Sequence, residues 1–334
     1  MVDTLVLGTS ANAWEFESLH AQILKALFKS VFFIFPELED KIMIHPIYNL
    51  NYNNNKNINF KGLNTTFNKF SPFNFYMEKV FDRYTYISKN RWFPIDETIK
   101  PHLKVLNLLN GKNSMELWDI NPDKSKKYII FYHGLGQNVS SNQEMYKKIL
   151  DKGYAVLAPE YGSFGKNSGK ISEKTINENA KAAIEYLNNN GIPNENIGVV
   201  GFSMGSFPAI ETASKNKKLR FLVLISPFNS MKNEAELLSK GATIRLPKII
   251  KYVIKKFPSI LKHLDNIFKT HRKMKNIDAP IYLIHSSNDK IVPQKSTEEL
   301  AKKAVNLKEF IILEKGGHNI EINKLNAFDK LSDI

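Results

Sequence analysis

Cysteine is absent from all 334 residues, which rules out disulfides and thiolate metal sites and fits a reducing compartment. No His-x-x-x-His pair or carboxylate cluster offers a metal its ligands. No Gly-x-Gly-x-x-Gly is present either; Gly134-Leu135-Gly136 and Gly162-Ser163-Phe164-Gly165 lack the spacing that cradles a dinucleotide. The reading therefore includes no metal and no cofactor. Acid is scarce beside base, 33 Asp+Glu against 47 Lys+Arg, and the net charge of +14 favours anionic partners such as phospholipid surfaces, acyl carriers or nucleic acid. Nucleic acid is set aside, because no reader motif or exposed aromatic series accompanies the lysines. An apolar run long enough to cross a bilayer is missing as well. Leu19, Ile23, Leu27, Val31 and Ile34 recur at helical spacing, but Lys25 and Lys29 interrupt them, leaving the run short of the ~20 residues a span needs. Met1 to Glu17 has no positive n-region and carries Asp3, Glu15 and Glu17, a poor secretory signal. The expectation is an amphipathic helix ended by Pro36, either lying at a membrane interface or packing on the main body. The expected location is the cytoplasm, with the membrane surface as a peripheral site.

What is present begins with an N-terminal extension over residues 1–100. It contains that helix, an Asn-dense stretch from Asn49 to Asn59 that cannot pack, and an aromatic-rich segment including Phe67, Phe70, Phe73, Phe75, Tyr84, Trp92 and Phe93. A boundary is placed near Pro101. Beyond it, Leu103 to Leu109 and Met115 to Ile120 flank the turn signal Asn110-Gly111-Lys112-Asn113 and read as an antiparallel hairpin. Continuous apolar runs follow at Tyr128 to Tyr132, Tyr154 to Ala158, Ile197 to Phe202, Phe221 to Ile225, Ile281 to His285 and Phe310 to Leu313. Such runs are how buried parallel strands read. Helical stretches, Asn142 to Lys152 and Thr175 to Asn190 among them, separate the strands. Alternation of this kind predicts an α/β fold with a mostly parallel, doubly wound sheet.

Inside that pattern, Gly201-Phe202-Ser203-Met204-Gly205 stands between a buried strand and a helix start. Glycines on both sides let the chain reverse sharply, pushing the Ser203 hydroxyl out at the strand's carboxyl end as a candidate nucleophile. Such a serine needs a base, an orienting acid and donors for the oxyanion, all at strand ends. His133-Gly134-Leu135-Gly136 follows a buried strand, so the amides of Leu135 and Met204 are the candidate oxyanion donors. Asp289, just beyond the strand ending at His285, is the candidate acid, and His318 in Gly316-Gly317-His318-Asn319 is the candidate base.

These residues carry a resemblance. Residues from about 101 to 334 resemble the α/β-hydrolase superfamily in His133-Gly134-Leu135-Gly136, Gly201 to Gly205, Ser226-Pro227-Phe228, Asp289 to Pro293 and Gly317-His318-Asn319, with the order Ser, Asp, His typical of it. Pro159-Glu160-Tyr161-Gly162-Ser163-Phe164-Gly165, with Ser168-Gly169, and Leu38 to Pro46 resemble its branch of membrane-associated lipid esterases and acyl-thioesterases. The arginine usual after the tyrosine of that loop is missing here. The resemblance implies a helical cap inserted at about 229–276. There, from Lys232 to Lys275, twelve Lys/Arg face three Asp/Glu, and Ile250, Ile254, Phe257, Leu261, Leu264 and Phe268 recur at helical spacing. A greasy and cationic cap could cover an acyl chain while resting on anionic headgroups. The expected activity is a serine hydrolase acting on acyl esters or thioesters through an acyl-enzyme. A peptidase or amidase with the same machinery and a non-catalytic binding protein of the same fold stay open.

Overall fold

The computed structural model describes residue 82 and residues 84–110, 113–169, 171–230 and 270–318. The expected N-terminal helix, the Asn-dense stretch, most of the aromatic segment and the body of the cap lie outside these residues. All of the described residues belong to a unit that begins at Phe81. The boundary expected near Pro101 therefore falls about twenty residues earlier. The reason is packing. Trp92 meets Trp118 edge-on at 5.9 Å, and the Asn138 side chain donates to the Ser88 and Arg91 carbonyls, so residues 84–100 are built into the main body.

Among the described residues, eight strands form one sheet in the order β1-β2-β4-β3-β5-β6-β7-β8. They are β1 (Leu103–Asn110), β2 (Asn113–Ile120), β3 (Tyr128–Tyr132), β4 (Ala155–Pro159), β5 (Ile197–Phe202), β6 (Phe221–Ile225), β7 (Ile281–Ser286) and β8 (Leu307–Leu313). β1 and β2 form the expected hairpin, Leu103 opposite Ile120, and β2 pairs antiparallel with β4; every other neighbour is parallel. The five residues of β3, of β4 and of β6, and all six of β5, are buried, because helices cover both faces and leave no solvated side that would demand alternation.

Successive side chains point to opposite faces. Ile130, Tyr132, Leu157 and Val199 pack on one face with α2 (Glu173–Asn189) and α3 (Ser206–Lys215), while Ile129, Phe131, Val156 and Val200 pack on the other with α1 (Gln143–Asp151). The start of α2 is fixed by a reciprocal cap, in which Ser172 accepts from Thr175 N–H and Thr175 accepts from Ser172 N–H. Two further helices, α4 (Thr270–Lys273) and α5 (Gln294–Ala301), follow the insertion and β7. The insertion leaves and re-enters through adjacent stems, since the Thr270 hydroxyl and the His271 N–H both donate to the Asn229 carbonyl.

The chain passes from β3 outward to β4 and returns to β5 on the other side of β3. This reversal of strand order lies between β3 and β5, and the carboxyl edge at such a point is the place where doubly wound sheets bind ligands.

Candidate active site

The turn after β5 is forced by close packing. A Cβ on Gly201 would lie 2.6 Å from the Gly205 carbonyl oxygen and 2.7 Å from Ala209 Cβ; one on Gly205 would lie 2.1 Å from the Tyr132 oxygen. Both positions are therefore closed to any side chain. Between them Ser203 takes φ +52°, a left-handed conformation that costs a non-glycine residue roughly 1 to 3 kcal/mol and persists only where the surroundings impose it. The result is a serine in a one-turn 3₁₀ segment, Ser203–Gly205, ahead of α3. The first N–H groups of such a segment, that of Met204 among them, have no partner inside it.

Ser203 Oγ stands 2.8 Å from His318 Nε2, and His318 Nδ1 stands 2.8 Å from Asp289 Oδ2. The remaining carboxylate oxygen, Oδ1, accepts from Ile291 N–H at 2.8 Å and Val292 N–H at 2.9 Å. Burial pushes the Asp289 carboxyl up, but the hydrogen bond and charge of His318 and those two amides outweigh it and hold Asp289 below the usual carboxylate range. An ionised Asp289 can only accept, so His318 carries a proton on Nδ1, and the neutral ring with that tautomer presents a bare Nε2 to the serine hydroxyl. That is the tautomer a general base needs.

His285, near the carboxyl end of β7, adjoins this pair. Its Nε2 is 3.0 Å from the Val292 carbonyl and 3.4 Å from Asp289 Oδ2, and its Nδ1 is 2.7 Å from the Thr297 hydroxyl. A carbonyl can only accept, so Nε2 bears the proton and Nδ1 takes that of Thr297. Burial lowers the pKa of His285 despite the neighbouring Asp289 charge, which keeps the ring neutral and leaves that charge facing His318.

His318 is held from its backbone as well. Gly317 N–H donates to Asn288 Oδ1 at 2.8 Å, the Ser286 hydroxyl donates to the same oxygen at 2.6 Å, and the Ser226 hydroxyl lies 3.4 Å from the His318 carbonyl. Gly316 and Gly317 have φ +141° and +64°, so the loop needs both glycines to turn the imidazole back over the sheet. Asn288 was given no role from the sequence, and Ser226 entered only as part of the Ser226-Pro227-Phe228 motif; their signal was their place next to the acid and at the end of β6.

The third expected component, Leu135, sits half-buried in the turn after β3. The two loops are locked face to face, because the missing side chain of Gly205 admits the carbonyls of Tyr132 and His133. Gly134 N–H donates to Gln137 Oε1 at 2.9 Å, one residue before Leu135. Glu160 was quoted from the sequence only as part of a motif. It is fully buried behind this loop, and a carboxylate directly following a buried strand was the available signal. Among the described residues no group of His, Asp and Glu is arranged to hold a metal ion, and no helix is long and apolar enough to cross a membrane.

A model of the α/β-hydrolase fold family matches residues 127–248, the span from β3 through the serine turn into the insertion. The chain has the α/β-hydrolase fold. An α/β hydrolase from Vibrio vulnificus is similar in structure, with a TM-score of 0.62 and 18% identity over 79% of this chain and 94% of that one. An esterase from Pyrococcus furiosus gives 0.56 and 21% over 73% and 94%. Among curated sequences, the human alpha/beta hydrolase domain-containing protein 17B is 24% identical over 221 residues, 66% of this chain and 62% of that protein. The Xenopus tropicalis protein 17C is 26% identical over 191 residues, 57% of this chain and 50% of that protein. The matches thus span from half to three-fifths of these relatives' length.

Proposed function

We propose that this α/β hydrolase is a serine hydrolase that cleaves carboxylic esters or thioesters with an acyl chain. The observation that carries the reading is the unbroken relay from Ser203 Oγ to His318 to Asp289, two contacts of 2.8 Å beginning at a serine with φ +52°. In the proposed cycle Ser203 Oγ attacks the carbonyl carbon as His318 Nε2 takes its proton. Asp289 stabilises the imidazolium, and the Leu135 and Met204 amides hold the oxyanion. His318 then returns the proton to the leaving alcohol or thiol. Water, deprotonated by the same nitrogen, releases the acid and frees the serine.

The basic insertion and the N-terminal helix are proposed as the surfaces that bring the enzyme to anionic lipid, where each basic side chain contributes about 1 kcal/mol near the surface. Two measurements test the proposal. A p-nitrophenyl acyl ester, acyl-CoA and peptide amide series should show turnover of the first two, lost in Ser203→Ala; turnover confined to amides would redirect the substrate class. Co-sedimentation with phosphatidylserine vesicles should fall as salt rises, whereas equal binding to neutral vesicles would defeat the lipid-surface reading.

A further inference from the structure

Behind the loop that leaves β3 lies a buried pair that the chemistry above leaves unused. His133 Nε2 is 2.8 Å from Glu160 Oε1, and both side chains are closed to solvent. His133 Nδ1 is 3.0 Å from the Gly134 carbonyl, so both ring nitrogens face oxygen atoms. Glu160 gathers two further donors: Val139 N–H reaches Oε2 at 3.0 Å, and Tyr161 N–H reaches Oε1 at 3.1 Å. The carboxylate is itself clamped. A Cβ on residue 165 would lie 2.3 Å from Oε2, so only glycine fits there, and Asn167 and Asn179 both donate to the Glu160 carbonyl. The Tyr161 ring lies tilted by 39° against His133, with centroids 4.2 Å apart, and its hydroxyl donates to the His133 carbonyl at 2.8 Å.

One carboxylate thus ties the loop at both ends, through His133 at its start and Val139 at its finish. Leu135 lies between the two ties. We propose that Glu160 is the positioning residue of the oxyanion loop, acting through His133 and Val139 on the direction of the Leu135 amide; the proposal rests on the serine-hydrolase reading. All three partners of the carboxylate are donors. Glutamine has nearly the same shape but must turn an NH₂ towards at least one of them, which opposes donor to donor in a buried place.

The test uses the full chain with Glu160→Gln, His133→Asn, the double variant and Val139→Pro. The last removes one N–H at the first position of a 3₁₀ turn, where proline is tolerated and where Asn138 is already extended at φ −142°, ψ 178°. Active sites are counted by fluorophosphonate labelling, and kcat, KM and the inhibition constant of an alkyl trifluoromethyl ketone, whose serine adduct carries the oxyanion, are measured per labelled site. Glu160→Gln should lower kcat roughly 10- to 100-fold with KM within about twofold, and weaken the ketone by a similar factor. The double variant should lose no more than the worse single one, since the two residues act as a unit.

Unchanged kcat per labelled site, a KM rise with the ketone unaffected, or losses that multiply in the double variant would each overturn the assignment. If Glu160→Gln does not fold, Val139→Pro decides, with a kcat loss of roughly 3- to 10-fold expected for one lost tie and none if the loop needs no tie. Failure of the unaltered protein to label at Ser203 would remove both the hydrolase reading and this inference; labelling with unaltered variants removes the inference alone.

Discussion

Gly205→Ala separates steric from conformational control of the serine turn. Gly205 has φ −59° and ψ −14°, right-handed values that alanine adopts readily, and at an open site the change would stabilise the chain by roughly 0.4 to 1 kcal/mol. The site is not open. The added methyl would stand 2.1 Å from the Tyr132 oxygen, 2.6 Å from the Tyr132 carbon and 2.8 Å from the His133 oxygen, all backbone atoms with no rotamer to yield. Tyr132 is paired with Gly201 in the middle of the sheet, so the strain falls on the two loops beyond. Overpacking of this kind costs about 1 to 3 kcal/mol, and relief requires a shift on the order of an ångström between Ser203 and the loop bearing Leu135. A misplacement of that size lowers turnover roughly 100-fold. Urea denaturation and ester turnover per labelled site measure the two effects. Gly191→Ala is the control: Gly191 has φ +78° and nothing within 4 Å of its would-be Cβ, so it should cost about 1 to 2 kcal/mol and leave turnover alone. A Gly205→Ala protein as stable and as active as the parent would refute the packing account of the turn.

Three further expectations follow from the same geometry. Ser203→Ala should abolish labelling and lower turnover by about 10⁴-fold or more while leaving the unfolding transition in place, as read by chemical denaturation. Asp289→Asn should cost roughly 10⁴ in kcat through the wrong tautomer of His318. It should also change acid stability. The native carboxyl titrates lower than the unfolded one, so its contribution is complete above the ordinary carboxylate range and drains away as pH falls through the lowered native value; urea midpoints of the variant should lack that share of the acid slope between about pH 5 and 2. Asn288→Ala removes the acceptor for Gly317 N–H and should lower kcat several-fold with little change in KM, whereas Asn288→Asp, which keeps an acceptor there, should retain more of it.

How much could be read from the chain depended on whether a residue's partner was local. The continuous apolar runs from Ile197 to Phe202 and from Phe221 to Ile225 matched their strands end for end, because a strand covered on both faces writes its burial into every position. β8 began three residues earlier than expected. It is an edge strand, and its half-exposed Leu307-Lys308-Glu309 mixes polar side chains into the pattern. α5 was missed for the opposite reason, since it buries Ser296 and Thr297 beside Leu300 and so hides its inner face behind hydroxyls. Ser203 and His318 were legible because glycine-bounded turns after strands mark them, and Asp289 because it closely follows an apolar strand; the three stand in a hydrogen-bonded series. Glu160, Asn288 and Ser226 were not, because their meaning comes from backbone amides and carbonyls brought close only by the folded sheet.

The proposed base follows β8, an edge strand among the described residues, and the proposed nucleophile follows a central one. β5 is walled in by β3 and β6, whereas β8 has a neighbour on one side alone and returns the chain to His318 through two glycines. Edges loosen before centres. Warming should accordingly silence this enzyme by peeling its rim while the interior is still intact, so that loss of turnover precedes loss of tryptophan shielding at Trp118, and cooling from that intermediate point should restore the activity in full.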